Sequence, residues 1–341
     1  MRILVTHPQV PFAHGGAEVL AERLTGELNA RGHDAALVTV PFKWYPPQRL
    51  LTNALAWRLL DLDEVEGRKV DLLIATKFPS YAVRHPNKRV WLVHQFRQAY
   101  ELDRTDLGEF GESAVDRATR RKIHELDRRT LGEAKKLFAI SRNVADRLER
   151  SLGLEAEVVL PPPQELDYRC DAYEDFVLSV GRLDRAKRVD LLLEAAAAEP
   201  TLRVVVAGDG PDRERLEHAA HRHGLNGRVE FRGRVDGREL ADLYARCSAV
   251  YYAPVDEDFG MVPYEAFLSE KPVVTTTDAG GPLDVVADRA TGLVAEPRAP
   301  ALAEALRYLR QHPDEGRAWG VAGKAAAERV TWDAAIERLL A

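Results

Sequence analysis

The 341-residue chain holds only two cysteines, Cys170 and Cys247, and no Cys-x-x-Cys pair. That excludes a disulfide framework and a cysteine metal site, and reads as two ordinary thiols in a reducing compartment. No apolar run approaches the ~20 residues of a membrane-spanning helix, and the opening MRILVTHPQV is too short for a signal peptide. A surplus of positive charge is missing too: the formal net charge is −6, which argues against broad binding to nucleic acid. There is no G-x-G-x-x-G, since Arg213 stands where GDGPDR would need a third glycine, and no G-x-S-x-G. A nicotinamide enzyme and a serine hydrolase therefore have no support. The expectation is a soluble, cytoplasmic protein without tandem repeats, long enough for two domains.

What the chain does have is a rhythm. Short apolar runs such as RILVT (2–6), AALVTV (35–40), VDLLIAT (70–76) and KLFAIS (136–141) alternate with helical patterns. VVLPPP (158–163) interrupts it, because three prolines continue neither a helix nor a central strand. The rhythm then restarts with FVLSVG (176–181), LRVVVAG (202–208), VEFRG (229–233), AVYYAP (249–254) and PVVTTT (272–277). Alternation of this kind predicts an α/β protein of two Rossmann-like domains, residues 1–163 and 164–326, with parallel sheets and a cleft between the domains. The last helix, TWDAAIERLLA, carries Trp332, Ala335, Ile336, Leu339 and Leu340 on a face that must be buried.

In open parallel sheets ligands sit beyond the carboxyl ends of the strands. Directly after FVLSVG stand Arg182 and Lys187, two cations suited to a diphosphate. Gly15 and Gly16 precede the first helix, where bare backbone N–H groups can approach an anion. Taken singly, a solvated basic loop and a tight turn explain these equally well. The loop after AVYYAP reads EDFGMVPYE: Glu257 at its start, Phe259, Gly260 and Met261 with N–H groups at a helix N-terminus, Pro263 in the first turn and Glu265 one turn in. The two D-x-D triplets, at 61–63 and 256–258, and the histidines His218 and His221 lack further ligands, so no metal site is expected.

Taken together, EDFGMVPYE, GGAE, SVGRLDRAKRVDLLLEA, VVVAGDGPDRERLE, VEFRGRV and VVTTTDAGGPLDVV resemble the retaining glycosyltransferases of family four, whose E-x7-E motif the first of them matches. The resemblance implies the GT-B fold. It also implies a nucleotide-diphosphate-sugar donor held mainly by the C-terminal domain, with no cofactor and no metal. Carried over by position, Arg182 and Lys187 hold the diphosphate and Glu257 faces the sugar. Backbone groups of Phe259, Gly260 and Met261 meet its hydroxyls, Glu265 grips the ribose and the segment around Arg234 meets the base. In the N-terminal acceptor domain, Gly15 and Gly16 complete the phosphate site and His94 lies near the reacting carbon. Gln95 departs from the acidic residue frequent after that histidine. The final helix, about 327–341, is expected to cross back to the N-terminal domain. Two alternatives stay open: a nucleotide-sugar epimerase of the same fold, and a non-catalytic nucleotide-sugar-binding protein. RATRRKIHELDRRTLGEAKK (117–136) and PFKWYPPQRLL (41–51) read either as solvated segments or as a weak peripheral contact with the inner face of an anionic membrane.

Overall fold

The structure, a computed structural model, describes residues 1–12 and 15–341. The chain forms two compact units, Met1–Pro161 with Trp332–Ala341, and Pro162–Thr331. The division falls inside the proline run, two residues before the expected boundary, and the last helix joins the first unit from Trp332 rather than from about 327.

The first unit contains β1 (Arg2–Gln9), α1 (Gly16–Ala30), β2 (Asp34–Pro41), α2 (Gln48–Leu59), a ribbon of β3 (Glu64–Val65) and β4 (Arg68–Lys69), β5 (Leu72–Ala75), β6 (Lys88–Leu92), α3 (Ala114–Gly132), β7 (Lys136–Ala139), α4 (Arg142–Leu152) and β8 (Glu157–Val158). Its main sheet runs β2-β1-β5-β6-β7-β8, every pair parallel. All four residues of β5 are buried, as expected of a parallel strand covered on both faces. Helix starts follow local chemistry: the Ser113 and Ser141 hydroxyls accept from the N–H of Asp116 and Val144, both at 3.0 Å, at the first turns of α3 and α4. α4 stops at Gly153, which takes the left-handed conformation at φ 69°.

The second unit contains β9 (Val177–Val180), α5 (Val189–Ala198), β10 (Val204–Ala207), α6 (Arg213–Arg222), β11 (Val229–Gly233), α7 (Gly237–Arg246), β12 (Ala249–Tyr251), α8 (Val262–Leu268), β13 (Val273–Thr276), β14 (Gly292–Ala295), α9 (Ala299–Gln311) and α10 (Pro313–Ala327). Its sheet runs β11-β10-β9-β12-β13-β14, again all parallel. Val177, Leu192, Leu193, Val206, Tyr251, Leu302 and Leu306 build its core. Each such side chain removed from water contributes roughly 1.5–3 kcal/mol before entropy is counted.

α11 (Trp332–Leu340) supplies the cover that its apolar face required. Trp332 meets Trp91 of β6 edge-on at 6.2 Å, Arg23 of α1 lies 5.5 Å over its ring, and Arg338 pairs with Glu157 of β8 at 2.6 Å. Ala335, Ile336 and Leu339 are buried, whereas Leu340, expected among them, is only partly so. Among the described residues no helix is long and apolar enough to cross a membrane.

Candidate active site

Both sheets contain a point where the chain leaves neighbouring strands in opposite directions: between β1 and β5 in the first unit, and between β9 and β12 in the second. Loops part there, and the opening beyond the strand ends is where such folds take ligands. In the second unit the β9 loop carries Arg182 and Lys187, and the β12 loop carries Glu257.

Backbone bonds stitch the β12 loop to the β9 loop and to the loop after β13. Val255 N–H donates to the Ala186 carbonyl at 2.8 Å, Glu257 N–H to that of Ala279 at 2.8 Å, and Gly281 N–H to that of Glu257 at 2.8 Å. The last requires close approach: a Cβ on Gly281 would lie 2.6 Å from the Cα and carbonyl oxygen of Phe259. Arg188, beside Lys187, does not face the opening. Its guanidinium donates to the carbonyls of Ala253 and Pro254, to Thr276 and, bidentately, to Asp278 at 2.7 and 2.9 Å. It is the pin that fixes the floor of the site.

On that floor Lys187 Nζ donates to Glu257 Oε2 at 2.5 Å and to the Tyr252 hydroxyl at 3.2 Å. Burial pulls the Lys187 ammonium down, but Tyr252 and Glu257 together outweigh it, and the net direction is up. Lys187 is a fixed positive charge at neutral pH.

Glu265 is in a different setting. Only 5% exposed, it accepts from the Tyr244 hydroxyl at 2.7 Å and from Gln164 Nε2 at 3.2 Å. Burial pushes its carboxyl up, and these two donors pull back only part of the shift. Each oxygen keeps a lone pair for a further donor. Phe259 stacks on Tyr264 at 4.8 Å and is 4% exposed, so its ring is core. Among the described residues the N–H groups of Phe259, Gly260 and Met261 donate to no protein acceptor.

The remaining expected residues are less gathered. The Arg182 side chain is 69% exposed, with Asp184 at 3.9 Å. Arg234 is exposed just past β11. In the first unit Gly15 caps α1, but its N–H is not free for an anion: it donates to Glu18 Oε2 at 3.0 Å. Glu18 also takes Lys77 Nζ at 3.0 Å and lies 3.4 Å from His7 Nε2. Burial raises the Glu18 carboxyl, yet His7 and Lys77 hold it well below the usual range. Gly16 opens the helix, and His94, half-buried two residues past β6, has Nδ1 2.5 Å from the Gln95 carbonyl. Sequence reasoning missed Tyr252, Tyr244, Gln164, Glu18 and Lys77. Tyr252 alone left a signal, as the first residue past a strand at the switch point. Among the described residues no three His, Cys, Asp or Glu side chains are grouped to hold a metal ion.

The unit holding Lys187, Glu257 and Glu265 is also the part of the chain that matches a family, described as glycosyl transferases group 1, over residues 169–326. The match takes in 158 of the 341 residues, all of them in the second unit. The chain is 25% identical over 312 residues to the alpha-1,3/1,6-mannosyltransferase ALG2 of Mus musculus, covering 81% of this chain and 73% of that protein. It is 33% identical over 166 residues to a GDP-mannose-dependent alpha-mannosyltransferase of Mycobacterium tuberculosis, covering 47% of this chain and 40% of that protein. In the latter case the chain spans less than half of its relative. Among solved structures, sucrose-phosphate synthase from Thermosynechococcus elongatus matches with a TM-score of 0.76 at 19% identity, over 99% of this chain and 97% of that one. At that identity the likeness establishes fold alone, and that fold is GT-B.

Proposed function

We propose that the protein transfers a sugar from a nucleotide-diphosphate sugar to an acceptor hydroxyl, with retention of anomeric configuration and without a metal. The observation that carries the reading is the convergence of Lys187 and Glu257 at the switch point of the family-matched unit, 70 residues apart in sequence and 2.5 Å apart in space. As the sugar leaves, negative charge gathers on the departing diphosphate and positive charge on the anomeric carbon. Lys187, Arg182 and the open N–H groups of Phe259, Gly260 and Met261 stand where the first would be met. The Glu257 carboxylate stands where the second would be met. The lysine, the arginine and the backbone donors offset the leaving charge in place of a metal ion. Glu265, held by Tyr244 and Gln164 with acceptor capacity to spare, is the ribose grip, and Arg234 borders the base.

In the first unit, Gly16 at the start of α1 serves as an anion contact and His94 past β6 as an acceptor contact, while Glu18, held by Lys77, fixes the Gly15 N–H. The names of the two relatives favour a mannosyl donor, so GDP-mannose leads the trial. Thermal unfolding is measured with GDP-mannose, UDP-glucose, ADP-glucose and dTDP-glucose, since a ligand of the native state raises the apparent midpoint. At 100 times Kd the gain is roughly 2.7 kcal/mol, and one donor class is expected to stand out. A flat response to all four contradicts the reading.

A further inference from the structure

We propose that Tyr252 is a direct ligand of the donor's diphosphate, forming with Lys187 a two-pronged clamp on one oxyanion. The proposal rests on the donor reading above and adds a residue to it.

A lysine ammonium has three protons. Lys187 spends one on Glu257 and one on the oxygen of Tyr252, and among the described residues the third meets no acceptor. The phenol oxygen, having accepted from Lys187, still carries its own O–H. Among the described residues that proton too has no acceptor, although the side chain is only 7% exposed. Two donors from two loops are thus held 3.2 Å apart with one proton each left over. Both line the same water-sized cavity of about 10 Å³, together with Gly181 and Arg182.

The ring is closely packed. Gly260, at φ 81°, sits so close that a Cβ there would come within 2.7 Å of Tyr252 Cε1. Lys187 Nζ lies 5.5 Å from the ring centroid. Burial, with Glu257 adding to it, pushes the phenol far above its ordinary range, so Tyr252 keeps its proton and acts as a donor, not as an acid or base. A buried donor with no protein acceptor gains most from an acceptor that can reach it. An arriving oxyanion satisfies it, which is why such a hydrogen bond adds more than a solvent-exposed one.

The test is calorimetric titration of the intact protein with UDP and GDP, and with uridine and guanosine as probes that lack phosphate. For Tyr252→Phe the diphosphate affinity is expected to fall about 10-fold or more, with nucleoside affinity unchanged. Equal losses for both probes would show that the hydroxyl only supports the site, and no loss would show that it meets nothing; either overturns the proposal. Should the wild type bind neither diphosphate, the donor reading itself falls. Should Tyr252→Phe fail to fold, 3-fluorotyrosine placed at 252 decides: its more acidic phenol is expected to bind the diphosphate more tightly, and unchanged affinity overturns the clamp.

Discussion

Glu257 meets a lysine ammonium at the start of its loop, whereas Glu265 is buried against a phenol and an amide. The seven residues between them separate two jobs. A grip on ribose is the same before and during the reaction, so its loss weakens ground and transition states alike. A carboxylate facing the sugar matters as charge develops. Glu265→Gln is therefore expected to weaken nucleoside diphosphate binding by ~1.5–3 kcal/mol, while Glu257→Gln binds it normally and turns over far more slowly. Titrations beside kcat values check this; reversed losses would reverse the roles. The two cations also separate. Lys187 is fixed between Glu257 and Tyr252, and Arg182 is largely in solvent. An oriented donor can supply roughly 10²–10³-fold in rate. Lys187→Ala is expected to lose that much and Arg182→Ala distinctly less, and equal losses would mean that Arg182 becomes ordered on the donor.

Among the elements, α3 carries a second electrostatic cost outside the site. Its Asp127 is fully buried and accepts from the Tyr100 hydroxyl at 2.8 Å. Burial pushes the carboxyl up to about 7, and the Tyr100 hydrogen bond recovers only part. The unfolded chain holds the same group near ~3.9. Folding therefore takes up a proton between about pH 4 and 7, and the contribution of Asp127 to stability is lost as pH rises through that window, with a limiting slope of ~1.4 kcal/mol per pH unit. Urea unfolding across that range is expected to show a shallower decline with rising pH for Asp127→Asn than for the wild type; identical slopes would place the proton elsewhere. The β12–α8 loop depends on the absence of a side chain at Gly281, where a Cβ would strike the backbone of Phe259. Gly281→Ala is expected to displace the loop and lower kcat at least tenfold while the far-UV spectrum stays native, and an unchanged rate would mean that the loop gives way freely.

For the whole molecule, the alternation of buried strands and helices was legible because a parallel strand covered on both faces is a continuous apolar run, as in LLIA of β5 and VVVA of β10. The proline break and the unspent apolar face of α11 were legible for equally local reasons. The ribbon β3–β4 and the two-residue β8 were not, since two residues carry no period. In the site, residue types at strand ends pointed to Lys187, Glu257 and Glu265. Arg188, beside Lys187 in sequence, is a pin on Asp278, and Gly15, expected to offer its N–H to a phosphate, spends it on Glu18. Tyr244 and Gln164 escaped because they reach Glu265 across 21 and 101 residues of chain, a distance no local pattern encodes. The central claim is group transfer by the intact chain. It is tested most directly by a proton NMR time course of the donor's anomeric signal, with a hydroxyl acceptor and excess chelator. The account predicts nucleoside diphosphate released one-for-one with a glycoside of the donor's own anomeric configuration. Donor converted to an epimer without an acceptor, an inverted product, or binding without any consumption would contradict it.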